Sequence, residues 1–118
     1  MVLDINDGDL WLFRELYFVL AALADEPTNT ISRIGGGRIS IPEDQANDLD
    51  HFRRAILAKY PAAAELHVMR VVAEIDAILG RKSRGAASFE EAFWTNNGFL
   101  RHPDWNNIRA MARAFLVR

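Results

Sequence analysis

Apolar residues crowd the segment from Leu10 to Ala24. Leu10, Trp11, Leu12, Phe13, Leu16, Tyr17, Phe18, Val19, Leu20 and Leu23 cover nearly the whole circumference of a helix. Only Arg14 and Glu15 mark a wet side. A helix that is apolar almost all round is buried on most faces, so this is the central helix or one side of a protein interface. Asp7 or Asp9 caps its start, and Pro27 after Asp25–Glu26 stops it. A second periodic stretch opens at Pro42 and runs to about Tyr60. Leu49, Phe52, Ile56 and Tyr60 step along one face, with Leu57 beside them, while Asp44, Asn47, Asp48, His51 and Arg54 occupy the other. Pro42 suits a first helical turn because it has no N–H to satisfy, and Glu43 and Asp44 favour the positive end of the helix dipole.

Pro61 starts a third helix that reaches Leu79. Val68, Val71, Val72, Ile75, Ile78 and Leu79 form its stripe, and Gly80 reads as the C-cap. Arg81, Lys82 and Arg84 follow, where cations complement a helix C-terminus. Ser88-Phe89-Glu90-Glu91 has the spacing of a capping box and opens a short helix through Phe93–Trp94 that Thr95-Asn96-Asn97-Gly98 ends. The last helix begins at Pro103–Asp104. It buries Trp105, Ile108, Ala112, Phe115 and Leu116, with Arg109 and Arg113 on a more exposed flank.

The segment Thr28–Ile41 breaks the helical period. Two short β-type runs, Ile31–Ile34 and Arg38–Ile41, flank Gly35, Gly36 and Gly37. Glycine supplies the positive φ of tight turns, so a small hairpin near residues 30–41 and a loop are both open. The glycines fit neither GxxxxGK[ST] nor GxGxxG, which argues against a phosphate loop. The fold class is therefore all-α or nearly so. The expected architecture is a compact single domain, 1–118, of about five helices, with room for that one hairpin.

Composition narrows the chemistry. The 118 residues are half hydrophobic and a quarter charged, which is an ordinary globular mix. The absence of cysteine excludes disulfides and thiolate-bound zinc or iron–sulfur centres. The apolar run of the first helix is too short for a bilayer, and Asp4, Asp7 and Asp9 stand where a secretory leader carries bases. A cytoplasmic protein with no membrane association is expected. No serine sits in a G-x-S-x-G elbow, and the adjacent acids lie at helix starts where the dipole explains them. No enzyme activity, cofactor or metal is expected. Asp44, Asp48 and His51 share a helix face at ligand spacing, but no second cluster completes a site. His102-Pro103-Asp104, a tripeptide shared with J-domain co-chaperones, reads as a turn and an N-cap, since no basic helix precedes it.

Net charge is −2, yet its distribution is uneven. Residues 1–50 carry ten acids against three bases, and residues 51–118 carry six acids against eleven bases. Mutual neutralisation in the fold is one explanation. An acidic face for a basic partner is the other.

The C-terminal stretch Ser88-Phe89-Glu90-Glu91-Ala92-Phe93-Trp94, Gly98-Phe99-Leu100-Arg101-His102-Pro103-Asp104-Trp105, Ile108-Arg109 and Ala112-Arg113-Ala114-Phe115-Leu116 resembles the ending of helical immunity proteins. Those proteins belong to bacterial contact-dependent growth inhibition systems. The opening Asp9-Leu10-Trp11-Leu12-Phe13-Arg14-Glu15-Leu16-Tyr17-Phe18-Val19-Leu20 adds a weaker echo. The resemblance implies an antitoxin that binds the C-terminal toxin domain of a cognate effector, commonly a nuclease. A nuclease groove is basic because it holds phosphates, so an acidic inhibitor face gives steered and selective binding. Glu43, Asp44, Asn47, Asp48 and Asp50 are the expected toxin-binding residues, joined by Asp25 and Glu26 if the glycine segment folds back. In this reading the chain touches no nucleic acid itself. The alternative is a small helical regulator or adaptor, whose nucleic-acid-binding version would use Arg81, Lys82, Arg84, Arg101, Arg109 and Arg113.

Overall fold

The computed structural model describes residues 4–34 and 40–117. Six α-helices form: α1 (Leu10–Ala24), α2 (Pro27–Ile34), α3 (Ile41–Lys59), α4 (His67–Lys82), α5 (Asn96–Arg101) and α6 (Pro103–Leu116). The all-helical expectation holds, with one helix more than the sequence pattern indicates and no strand among the described residues. None of the described helices is long and apolar enough to cross a membrane.

Four long helices close a ring in which α1 packs on α3, α3 on α4, α4 on α6 and α6 on α1. Cross-contacts fix their directions. Lys59 at the end of α3 reaches Asp9 at the start of α1, at 2.7 Å. Arg53 of α3 meets Asp76 of α4, and His67 and Lys82 at the two ends of α4 meet Phe115 and Asp104 at the two ends of α6. The α1–α3 and α4–α6 pairs are therefore antiparallel, and so is α3–α4, where Glu43 and Asn47 near the start of α3 share a groove with Leu79 and Gly80 near the end of α4. The interior is filled by Leu16 and Leu20 of α1, Leu49 and Ile56 of α3, Val72 and Ile75 of α4, and Ile108 and Ala112 of α6, all fully buried. Their spacings are the i, i+3, i+4, i+7 of amphipathic helices, which is why the long elements are legible in the sequence.

An aromatic knot closes one end. Phe93 stacks on Trp105 at 4.7 Å with ring planes 10° apart, and Phe99 meets Trp105 edge-on at 5.0 Å. The Trp105 indole N–H donates to the Phe93 carbonyl at 2.8 Å, so this deeply buried polar atom is satisfied. Gly98 permits the approach of α5 to the 3-10 turn Glu91–Trp94, since a Cβ there would collide with the Ala92 carbonyl.

Several expectations are corrected. The hairpin does not form: Ile31–Ile34 belongs to α2, while residues 35–39 lie outside the described residues. Pro27 opens α2 as Pro42 opens α3, the Glu26 carbonyl accepts from the Asn29 and Thr30 amides, and Thr30 is buried. The third long helix starts at His67, not Pro61. Pro61–Glu65 is a 3-10 turn, and Leu66 is extended before α4 begins. Gly80 does not end α4, which continues to Lys82. Among the described residues the left-handed glycine is Gly85, at φ 92°. The Ser88 capping box does not form, because the turn begins at Glu91 with no side-chain cap. Thr95 begins a helix where the sequence suggests an ending, its hydroxyl accepting from the Gly98 amide at 2.9 Å. Asp9 makes no side-chain cap on α1 and binds Lys59 and the Tyr60 hydroxyl instead.

Candidate interaction face

The 19-residue helix α3 carries most of the acidic residues singled out from sequence. Glu43, Asp44, Asn47 and Asp48 are exposed and Asp50 is half-buried. The helix splits them between two flanks. Glu43, Asn47 and Asp50 line a groove of about 580 Å3 against α4, together with Asp76 and Trp94. Asp50 is bonded there by Arg54 at 2.9 Å. Asp76 pairs with Arg53 at 3.4 Å, yet its carboxyl is held above the usual range by burial and by Asp50, against the pull of Arg53 and Arg54.

Asp44 and Asp48 lie on the flank nearer α1. Burial first, then the Asp44 charge and the Glu15 charge, push the Asp48 carboxyl up, while His51 acts in the opposite sense. Asp25 and Glu26 are tied elsewhere. The Asp25 carboxylate accepts from the Glu26 amide at 2.8 Å, and Glu26 pairs with Arg113 of α6 at 3.0 Å. The glycine segment invoked to bring them to the α3 face lies outside the described residues.

Beside this flank, α1 presents aromatic surface to solvent. Trp11 is 47% and Phe18 60% exposed, although Leu12, Leu16, Val19, Leu20 and Leu23 of the same helix are buried. One face of this helix is core and the other is open to solvent. Trp11 meets Phe52 of α3 edge-on at 6.3 Å, and Phe52 meets His51 at 5.0 Å, so the row crosses from α1 to α3.

Many basic residues of the second half have partners within the chain, although Arg54, Arg70, Arg84 and Arg113 stay exposed. Arg109, expected on an exposed flank, is only 5% exposed. It donates to the Phe99 carbonyl at 2.6 Å, to the Trp105 carbonyl at 3.3 Å, and lies over the Phe99 ring. Burial pulls its pKa down. Arg113 donates to the Ala24 carbonyl and to Glu26, and Arg84 covers Phe89. Lys82 lies 2.5 Å from Glu90 and 3.1 Å from Asp104. Arg81 and Arg101 are exposed, in the last turns of α4 and α5.

Sequence reasoning missed the cluster that Lys82 joins. Among the described residues, Glu90, His102 and Asp104 are the carboxylate–histidine group that converges at metal-ligand spacing, whereas Asp44, Asp48 and His51 do not converge. The Lys82 ammonium already bridges the two carboxylates of that group. His102 Nε2 lies 2.8 Å from Glu90, and its Nδ1 accepts from the Asp104 amide at 3.0 Å, capping α6. The neutral ring with its proton on Nε2 satisfies both contacts. This is a clamp that fastens the end of α4 to the start of α6. The only signal for it in the sequence is the turn tripeptide 102–104, because its other members are separated by a loop.

Compared with protein-family models, curated proteins and solved structures, the chain has no match.

Proposed function

We propose that this chain is a binding protein of the immunity type, which captures the basic toxin domain of a contact-dependent growth inhibition effector through the acidic face of α3. The observation that carries this reading is the exposed pair Asp44 and Asp48, one turn apart on α3, where burial first and then the charges of Asp44 and Glu15 raise the Asp48 carboxyl against the pull of His51. A basic partner relieves that repulsion on binding and is steered toward it from a distance. The internal use of Arg109, Arg113 and Lys82 also supports a protein partner over a nucleic acid, which would need those cations free. The resemblance in sequence supplies the kind of partner, and the acidic helix supplies the surface.

The test is isolation of the tagged protein from its native cells, mass spectrometry of near-stoichiometric partners, and titration against the partner found. Recovery of a basic C-terminal domain of a very large effector is the expected result. Asp44→Lys with Asp48→Lys should then weaken binding by about a hundredfold or more, as charge reversal in a complementary interface does. Recovery of nucleic acid, or affinity unchanged in the double variant, sinks the reading.

A further inference from the structure

The open face of α1 lies against the acidic flank of α3, and the two together are more specific than either alone. Trp11 and Phe18 are seven residues apart, two turns along α1, and so lie on one side of it. Glu15 lies between them in the sequence. The helix α3 runs antiparallel alongside, with Phe52 and His51 at the Trp11 end and Asp48 within the field of Glu15. The surface is therefore a pair of aromatic anchors with carboxylates between and beside them, Glu15 also lying 3.8 Å from the exposed Arg14. Trp11 is braced on one edge by Phe52 and free on the other, so little rotamer freedom remains to be lost on binding.

Charge selects among the occupants such a face could take. A second copy related by a two-fold axis would bring Glu15, Asp44 and Asp48 toward their own equivalents. An anionic lipid surface is repelled by the same carboxylates. A segment with apolar side chains flanked by lysine or arginine satisfies both parts of the surface. We infer that the α1–α3 face, with Trp11 and Phe18 as anchors and Glu15, Asp44 and Asp48 as counter-charges, is a docking site for a basic amphipathic helix of the partner protein. This rests on the binding reading above and deepens it, because it gives the contact an apolar centre. Affinity then falls with salt without vanishing.

The experiment titrates the full chain by calorimetry with three synthetic peptides: an amphipathic leucine–lysine helix, its leucine–glutamate counterpart, and a plain oligolysine. The Trp11 indole resonance reports the location. The leucine–lysine helix should bind tightest and shift that resonance. Trp11→Ser and, separately, Phe18→Ser should weaken it about tenfold or more, with circular dichroism unchanged and the melting curve lowered a little at most for Trp11→Ser, which loses its Phe52 contact. Equal binding of the leucine–glutamate helix overturns the inference, as does self-association that Trp11→Ser abolishes. If oligolysine binds as well as the amphipathic helix and neither aromatic substitution matters, the anchors fall while the acidic-face reading stands. If no cationic peptide binds, both fall.

Discussion

The carboxylates at the α4–α6 corner and those on α3 are the same residue types with opposite surroundings. Glu90 and Asp104 share the Lys82 ammonium, and Glu90 also takes the His102 ring. Lys82 and then His102 hold the Glu90 carboxyl below its ordinary range, and Glu90 and Asp104 raise the Lys82 ammonium. Asp48 faces Asp44 and Glu15, and its carboxyl is raised. Charge at the corner is paired by the chain's own residues and serves the fold. On α3, Asp50 pairs with Arg54, while Asp44 and Asp48 are exposed. A lowered carboxyl marks an acid held by the chain's own cations, whereas a raised one also reports burial, as at Asp76, which Arg53 pairs.

The comparison breaks most completely at the corner's aromatic floor. Trp105→Ala removes the ring on which Phe93 and Phe99 pack and leaves the Phe93 carbonyl without its donor. A loss of about 3–5 kcal/mol is expected, read from urea denaturation. The next largest effect is at Arg109. Arg109→Met keeps most of the volume and removes the donors to the Phe99 and Trp105 carbonyls, which should cost about 1–3 kcal/mol. Neither substitution touches the α1–α3 face, so residual folded protein should retain its affinity for a basic partner. Loss of binding in folded Arg109→Met would place the interface at α6 instead.

Arg109 also shows how far a sequence can be read. Trp105, Ile108, Arg109 and Ala112 follow i, i+3, i+4, i+7 and all are buried. The spacing alone puts Arg109 on the core face, although its charge suggests the exposed flank expected above. The long helices α1, α3 and α6 were legible because each repeats its apolar stripe over several turns and opens with proline or an acid near its start. The short helices α2 and α5 have too few turns for a period to register. Their starts were marked by Pro27 and Thr95, which were read as endings. In the candidate site, periodicity gave the exposure of Glu43, Asp44, Asn47 and Asp48. It could not show that α4 would take one flank and α1 the other, nor that Glu26 would pair with Arg113 87 residues away. Those depend on how helices assemble, which local pattern does not encode.

A smaller effect is expected from the corner's charges, and pH isolates it. Glu90 is lowered, so its contribution is present above its unfolded value and is lost as pH falls through the lower folded one. Lys82 is raised, so its contribution is complete below its unfolded value and is lost as pH rises through the higher folded one. The clamp therefore acts across the neutral range and fades at both extremes. Glu90→Gln should flatten the acid limb of a plot of melting temperature against pH. An acid limb unchanged in that variant would show that the clamp contributes nothing to folding.

Asp48 carries the opposite sign and the smallest effect on stability. Because its folded carboxyl is raised, the native state binds protons more tightly than the unfolded chain, and stability falls as pH rises through the interval between the unfolded and folded values. At neutral pH the residue is therefore a net cost, small because Asp48 is exposed and solvent screens it. Asp48→Asn should raise stability by at most about 0.5 kcal/mol, seen as a slightly higher melting temperature. The same change should weaken binding to a basic partner, and Asp44→Asn should act in the same direction on both quantities. A side chain whose removal strengthens the fold while weakening binding is retained for the binding, the trade expected where function sets the charge and the fold tolerates it. If Asp48→Asn lowers the melting temperature at neutral pH, the carboxylate is an architectural one like Glu90, and the α3 face loses its claim to be different.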